Sequence, residues 1–321
     1  MVVATGNLYV GAWSIWSNCL WFQDFPLKKG QEENKKDSSA AGFDFDKDFK
    51  ETLESFVQAI MPSKMDYKSI LKFDLNDYVY ENIDVILIPS VMGRYRGPSM
   101  NKYGIGKIKY VLEKLPCQVN RKPNRKIITY QTSSIGQADE KYIEEFTASV
   151  LPGYKTLKEL GVERSNAKKF GKDTKQLTLF SKNKPDSFSA VDRMRLIFPT
   201  EKYVEDSVIG AEAVGCLFLK KDFYESGRLP KKIFHQFEAP GIIPHLKVFI
   251  ITNDDNTIND DTIIYFGSHN FSPAAWGKYE RDFTQIAINN SELGVLIPPM
   301  KGNSQNFYLN KLFYCARLSG T

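Results

Sequence analysis

Two short segments in the last third of this 321-residue chain hold residue types suited to handling a phosphate. Pro244-His245-Leu246-Lys247 sets an imidazole and an ammonium two positions apart. Asn270 follows His245 by 25 residues, inside the run Gly267-Ser268-His269-Asn270-Phe271-Ser272-Pro273-Ala274-Ala275-Trp276-Gly277. An imidazole titrates near neutral pH and can serve as acid or base, a lysine supplies a point charge, and a carboxamide supplies N–H donors. Ser272 before Pro273 reads as a helix start, with a hydroxyl cap and a proline at the first helical position. The amides of a helix start add further donors for an anion.

A weaker copy of the asparagine segment lies at the other end of the chain, in Ala4-Thr5-Gly6-Asn7-Leu8-Tyr9-Val10-Gly11-Ala12-Trp13. In both copies Ala-Trp falls five and six residues after the asparagine, and the two asparagines are 263 residues apart. That pattern predicts a duplicated fold with one site between its halves. Six residues precede Asn7, too few for a His-x-Lys ahead of it in this sequence. A bare His-x-Lys arises often by chance; the run around Asn270 and its copy at Asn7 carry the weight. His235, His245 and His269 are the three histidines of the chain and all fall in one region. His269 points to the neighbouring face from Asn270 and reads as structural or as a substrate-edge residue, and His235 reads as a surface residue.

These side chains need strands and turns to bring them together. His245 to Ile251 reads as a strand, which puts His245 and Lys247 on one face and Leu246, Val248 and Ile250 on the other. A polar stretch, Asn253 to Asp261, reverses the chain, and Thr262 to Gly267 returns as a second strand that delivers Asn270. Further strands are read at Val85–Ile88, Ile127–Tyr130 and Met194–Phe198. Phe49, Leu53, Phe56, Val57 and Ile60 recur at helical spacing until Pro62. Ile105, Ile108, Leu112 and Leu115 mark a second helix, and a third is expected near 139–150. Met1 to Ala4 reads as a strand, as if the chain starts within a domain. Alternating strands and helices predict an α/β layered fold. The turn-rich Gly93-Arg94-Tyr95-Arg96-Gly97-Pro98 suggests a boundary near 84–95, between a short first part (1–88) and a longer second part (89–321). A polar insert at 28–47 and a basic stretch at 161–187 read as solvated loops.

Composition sets wide bounds. An apolar content of 42% and a charged content of 25% are ordinary for a globular protein. The net charge of +5 permits a polyanionic partner without demanding one. Cys19, Cys117, Cys216 and Cys315 lie in no metal-binding spacing and read as reduced core residues, so neither metal nor cofactor is expected. No run of 18 apolar residues is present, so no membrane span is expected.

The two asparagine segments and the His-x-Lys resemble the HKN motifs of tyrosyl-DNA phosphodiesterases, a branch of the phospholipase D superfamily. The resemblance runs from Asn7 to about Pro298, supported by Thr132-Ser133-Ser134-Ile135-Gly136, Ile197-Phe198-Pro199-Thr200 and Glu292-Leu293-Gly294-Val295-Leu296. It implies a mixed sheet flanked by helices in two pseudo-duplicated halves, of which this sequence holds the first incompletely. It also implies a monomeric, metal-independent DNA-repair hydrolase of the nucleus, acting on a DNA 3′ end that carries a tyrosyl adduct. In that scheme a first-half histidine attacks phosphorus to give a phosphohistidine. His245 matches the general acid and base, Lys247 the phosphate-binding lysine, Asn270 and Asn7 the two asparagines. Glu292 resembles the carboxylate that orients a catalytic histidine, with a surface carboxylate at a strand start as the alternative reading. Ser134, Ile135, Gly136, Gln137 and Ser272 match positions that contact the DNA backbone, whereas Ser133 reads as either a contact or a turn hydroxyl. The missing His-x-Lys before Asn7 leaves a non-catalytic DNA-end-binding fragment as the alternative reading, and Asn18 stands where the family often has glutamine.

Overall fold

The computed structural model describes residues 1–5, 18–28, 43–62, 65–115, 126–151, 189–208, 210–236, 241, 243–254, 258–259 and 261–299. Asn7, Trp13, Trp16, Cys117, Cys315, most of the polar insert and the whole basic stretch lie outside the described residues. In chain order the strands and helices are β1 (Val2–Ala4), β2 (Leu20–Phe22), α1 (Phe45–Ile60), α2 (Tyr67–Leu71), β3 (Ile86–Ser90), β4 (Gly93–Arg96) and α3 (Gly104–Lys114). They continue with β5 (Lys126–Gln131), β6 (Ser134–Ile135), α4 (Glu140–Val150), β7 (Met194–Ile197), α5 (Glu201–Glu205), β8 (Phe218–Leu219), α6 (Lys221–Glu225) and β9 (Phe234–His235). The last are β10 (Val248–Asn253), β11 (Ile263–Gly267), α7 (Pro273–Trp276), β12 (Lys278–Glu280), β13 (Gln285–Ile288) and β14 (Glu292–Ile297).

A seven-stranded mixed sheet in the order β3-β14-β11-β10-β5-β7-β9 is the backbone of the fold. Its first five strands pair antiparallel, and β7 pairs parallel with both β5 and β9. Side chains alternate between two cores, as a period of two requires. Ile88, Leu296, Tyr265, Phe249, Tyr130 and Leu196 face one core, covered by α3 and α4. Leu87, Val295, Ile264 and Phe266 face the other, where Val3 of β1 and Trp21 of β2 pack. Helix α1 serves both, giving Phe49 and Leu53 to one core and Phe56 to the other.

The helices start and stop where local chemistry directs. Asp44 caps α1 by accepting from Lys47 N at 2.9 Å, Asp46 and Asp48 sit in its first turn, and the chain turns extended at Met61 before Pro62. Asp139 caps α4 through Tyr142 N at 2.9 Å. A buried ion pair at 2.5 Å joins Lys107 of α3 to Asp48 of α1. The expected strand at His245–Ile251 is shorter than read: the ladder begins at Val248, and Pro244 to Lys247 precede it without regular secondary structure. Gly267 N still donates to Lys247 O at 3.1 Å, so the spacing of His245 and Lys247 follows the sheet. The division at 88/89 falls within β3, and β3 pairs with β14 of the second part.

Candidate active site

Four adjacent strands of the large sheet end or begin at one edge, and each brings polar residues there. β5 leads into Thr132-Ser133-Ser134, His245 and Lys247 precede β10, Ser268 and Asn270 follow β11, and Glu292 opens β14. His245, Lys247, Asn270 and Glu292 line one cleft of about 540 Å³, with Thr5, Ser133, Ser134, Gly215, Cys216 and Ser268. The antiparallel β10–β11 hairpin is what closes the 25-residue gap between His245 and Asn270.

His245 and Lys247 are both buried, at 8% and 4% exposure. The Lys247 ammonium donates to the carbonyl of His245 at 2.7 Å. It also lies 2.9 Å from Nε2 and 3.2 Å from Nδ1 of the His245 ring. Both ring nitrogens so close to one atom place the ammonium over the imidazole rather than in line with a single lone pair. Burial, and then the Lys247 charge, push the His245 pKa down to about 4. Burial pulls Lys247 down to about 7, against the opposing pull of Glu292. Glu292 is itself raised by burial, opposed by hydrogen bonds from Ser268 and Asn290 and by Lys247. Glu292 and Lys247 thus each favour the other's charged form, and Asn290 Nδ2 donates to Glu292 Oε1 at 3.2 Å.

Asn270 is held from the β5–β6 segment. Its Oδ1 accepts from Thr132 Oγ1 at 3.1 Å, Ser133 Oγ at 3.2 Å and Ser134 N at 3.0 Å. The backbone around it is clamped as well: Tyr130 Oη donates to His269 O at 2.8 Å, and Phe271 N donates to Thr132 Oγ1 at 3.1 Å. The carboxamide nitrogen is left as the donor group that Asn270 brings to the cleft it lines. An ammonium, an imidazole and an amide donor on one cleft make an anion site with an acid/base group beside it.

Of the expected backbone-contact residues, Ser134 lines the cleft. Ile135 is buried in the core with its backbone paired to Leu219 and Phe271, so it does not face the cleft, and Gln137 is exposed. Gly136 and Ser272 pack against each other; a Cβ at Gly136 would stand 2.5 Å from Ser272 Cβ. The Ser272 hydroxyl accepts from Ala275 N at 3.1 Å and starts α7, as read from Ser-Pro. His269 is fully buried, which settles its two readings in favour of the structural one, and His235 is exposed on β9. Cys216, expected in the core, is half-buried at the cleft, its thiol pushed up by burial. Thr5, Ser268, Gly215 and Cys216 carried no spacing signal of their own; Ser268 was legible only as part of the Gly-Ser-x-Asn run.

The mixed sheet with its flanking helices and this cleft has the phospholipase D-like fold, by its likeness to solved structures. Two crystal structures of yeast tyrosyl-DNA phosphodiesterase mutants share it, with TM-scores of 0.56 and 0.55 at 17% identity, over 92% of this chain and 62% and 63% of theirs. Residues 1–311 match the family described as tyrosyl-DNA phosphodiesterase, and the chain belongs to that family. It is 29% identical over 308 residues to tyrosyl-DNA phosphodiesterase 1 of Arabidopsis thaliana, covering 93% of this chain and 44% of the relative. A probable tyrosyl-DNA phosphodiesterase of Schizosaccharomyces pombe is 22% identical over 299 residues, covering 87% of this chain and 47% of the relative. The chain thus spans about half the length of these curated relatives.

Proposed function

We propose that this chain supplies the acid/base half of a DNA-repair phosphodiesterase that removes tyrosyl and related adducts from DNA 3′ ends. The observation that supports this reading is the convergence of His245, Lys247 and Asn270 on one cleft. Lys247 and the Asn270 amide hold the non-bridging oxygens of the phosphodiester and stabilise the charge that builds as phosphorus is attacked. His245 gives a proton to the departing phenolate and then takes one from the water that hydrolyses the intermediate. The nucleophile that forms the phosphohistidine comes from a first-half His-x-Lys outside this sequence, with Asn7 completing its side of the site. His269 is fully buried, and His235 lies on β9, separated from β10 by β5 and β7, so neither fits that role. On this reading residues 1–88 belong to the first half, residues 89–321 form the second, and the protein works as a monomer in the nucleus.

Burial and the Lys247 charge hold His245 neutral, with a pKa of about 4. A phosphate carrying negative charge favours the protonated imidazole and raises that value. Substrate binding thereby loads the proton that the leaving group needs.

Fluorescence anisotropy with a 3′-phosphorylated single-stranded oligonucleotide tests the anion site. We expect salt-sensitive binding that Lys247→Ala weakens at least tenfold, about 1.4 kcal/mol. Absence of binding by the unaltered chain overturns the reading. Single-turnover assays on a 3′-phosphotyrosyl oligonucleotide test the division of roles: the chain alone should release little tyrosine, and rapid release overturns it. Binding that survives His245→Ala unchanged favours the second reading, a DNA-end-binding module without catalysis.

A further inference from the structure

We propose that His269 is a positioning residue, a buried imidazole that fixes the Asn270 carboxamide by locking the backbone beneath it. The proposal deepens the reading of Asn270 as a phosphate ligand and rests on that reading. His269 Nδ1 lies 2.5 Å from Tyr265 Oη, and Nε2 lies 2.9 Å from Ser90 Oγ. Its ring stacks on Trp276 at a centroid distance of 4.1 Å, and its carbonyl accepts from Tyr130 Oη. Trp276 Nε1 donates in turn to Tyr130 Oη at 2.8 Å, which closes a ring of contacts around the residue.

The surroundings are shaped for this imidazole. Gly267 and Gly294 face each other across β11 and β14, and a Cβ on either would collide with the Tyr265 hydroxyl. Their missing side chains give that hydroxyl its path to His269. Ser90, at the other ring nitrogen, stands opposite Glu292 in the β3–β14 register. His269 therefore joins the segment bearing Asn270 to the strand pair bearing Glu292. Two ring nitrogens with one hydroxyl each suit a neutral imidazole, one nitrogen donating and the other accepting. Burial acts the same way, holding the His269 pKa near 3. His269 and Asn270 follow the end of β11, and the ring of the first is fully buried while the side chain of the second lines the cleft, so the peptide between them is anchored on one side by the imidazole and its carbonyl contact to Tyr130.

Three variants of the chain separate positioning from bulk stability. His269→Gln keeps a neutral polar tip at the Ser90 end, Tyr265→Phe removes one hydroxyl and keeps the ring, and His269→Ala removes both contacts. The Asn270 side-chain amide resonances, assigned through Asn270→Asp in a ¹⁵N spectrum, report its position without any ligand. The oligonucleotide with a 3′ phosphate reports its use. We expect displaced Asn270 amide resonances and about tenfold weaker binding in His269→Ala, with recovery to within about twofold in His269→Gln. Unmoved Asn270 resonances in a folded His269→Ala or Tyr265→Phe protein overturn the proposal. So does a His269→Gln protein that is folded but no better than His269→Ala. If His269→Ala does not fold, the Tyr265→Phe and Gln variants decide through the same two readings. Failure of the unaltered chain to bind the oligonucleotide rejects the phosphate-site reading alone, because the resonances still decide the role of His269.

Discussion

The backbone N–H of Ser134 donates to the side-chain oxygen of Asn270 at 3.0 Å across 136 residues of sequence. A backbone amide can only donate, so this contact identifies the carboxamide oxygen and with it the orientation of the whole group. The hydroxyls of Thr132 and Ser133 crowd the same oxygen.

Asn270→Asp should therefore keep the fold and lose the ligand. A carboxylate still accepts from all three donors, but it replaces an N–H donor with negative charge where a phosphate must sit. We expect an unchanged or slightly higher melting temperature and loss of oligonucleotide binding by tenfold or more, about 1.4 kcal/mol. Asn270→Ala should instead lose both, with a stability cost of about 1–3 kcal/mol for donors left without an acceptor.

Lys247→Met should stabilise the protein while removing anion binding. Burial holds the ammonium near a pKa of 7, so below that pH the fold carries a charge it disfavours. Replacement by an unbranched apolar side chain relieves this, by about 1–2 kcal/mol at pH 6. Denaturant titration at pH 6 and pH 9 checks it, since the gain should shrink at pH 9, where Lys247 is neutral in the folded state.

Acid should destabilise the chain through its buried imidazoles. His245 and His269 have folded pKa values of about 4 and about 3, below the ordinary value of 6.5. The unfolded chain then binds more protons between those limits, and stability falls as pH drops from about 6.5 toward 3. Melting temperatures across that range should decline less steeply in His269→Gln, which has no imidazole to protonate there.

Phosphate binding should draw protons from solution. A bound anion raises the pKa values of both Lys247 and His245, so affinity should weaken as pH rises through about 7. Calorimetry in buffers of different ionisation enthalpy should show net proton uptake at pH 7, and Lys247→Met should reduce it.

Gly294→Ala should cost about 1–3 kcal/mol by overpacking, because its Cβ meets the Tyr265 ring and hydroxyl. Tyr265→Phe in that background should recover part of the loss, measured by thermal melting.

The periodic parts of the fold were legible in the chain. Phe49, Leu53 and Phe56 revealed α1, and the Ser272-Pro273 pair revealed the start of α7, because local spacing and capping determine both. The hairpin joining His245 to Asn270 was readable for the same reason. Contacts made across distant sequence were not. Nothing near Ser133 and Ser134 foretells that both meet Asn270, and nothing around Ser90 marks it as a partner of His269. Glu292 was legible as a carboxylate of the site; that its charge acts on Lys247 depends on the strand order β14-β11-β10, which no local pattern encodes.

The gathering of the cleft at the ends of β5, β10, β11 and β14 makes it a vernier for the sheet. A strand advances about 3.3 Å per residue, more than the length of any hydrogen bond described at Asn270. A slip of two residues keeps the alternation of faces, and packing opposes it chiefly at special points such as the Gly267–Gly294 pair that admits Tyr265. The same slip would carry His245, Asn270 or Glu292 entirely out of reach of the others. Assembly of the cleft thus adds a polar check on strand alignment to the one that packing makes at Gly267 and Gly294.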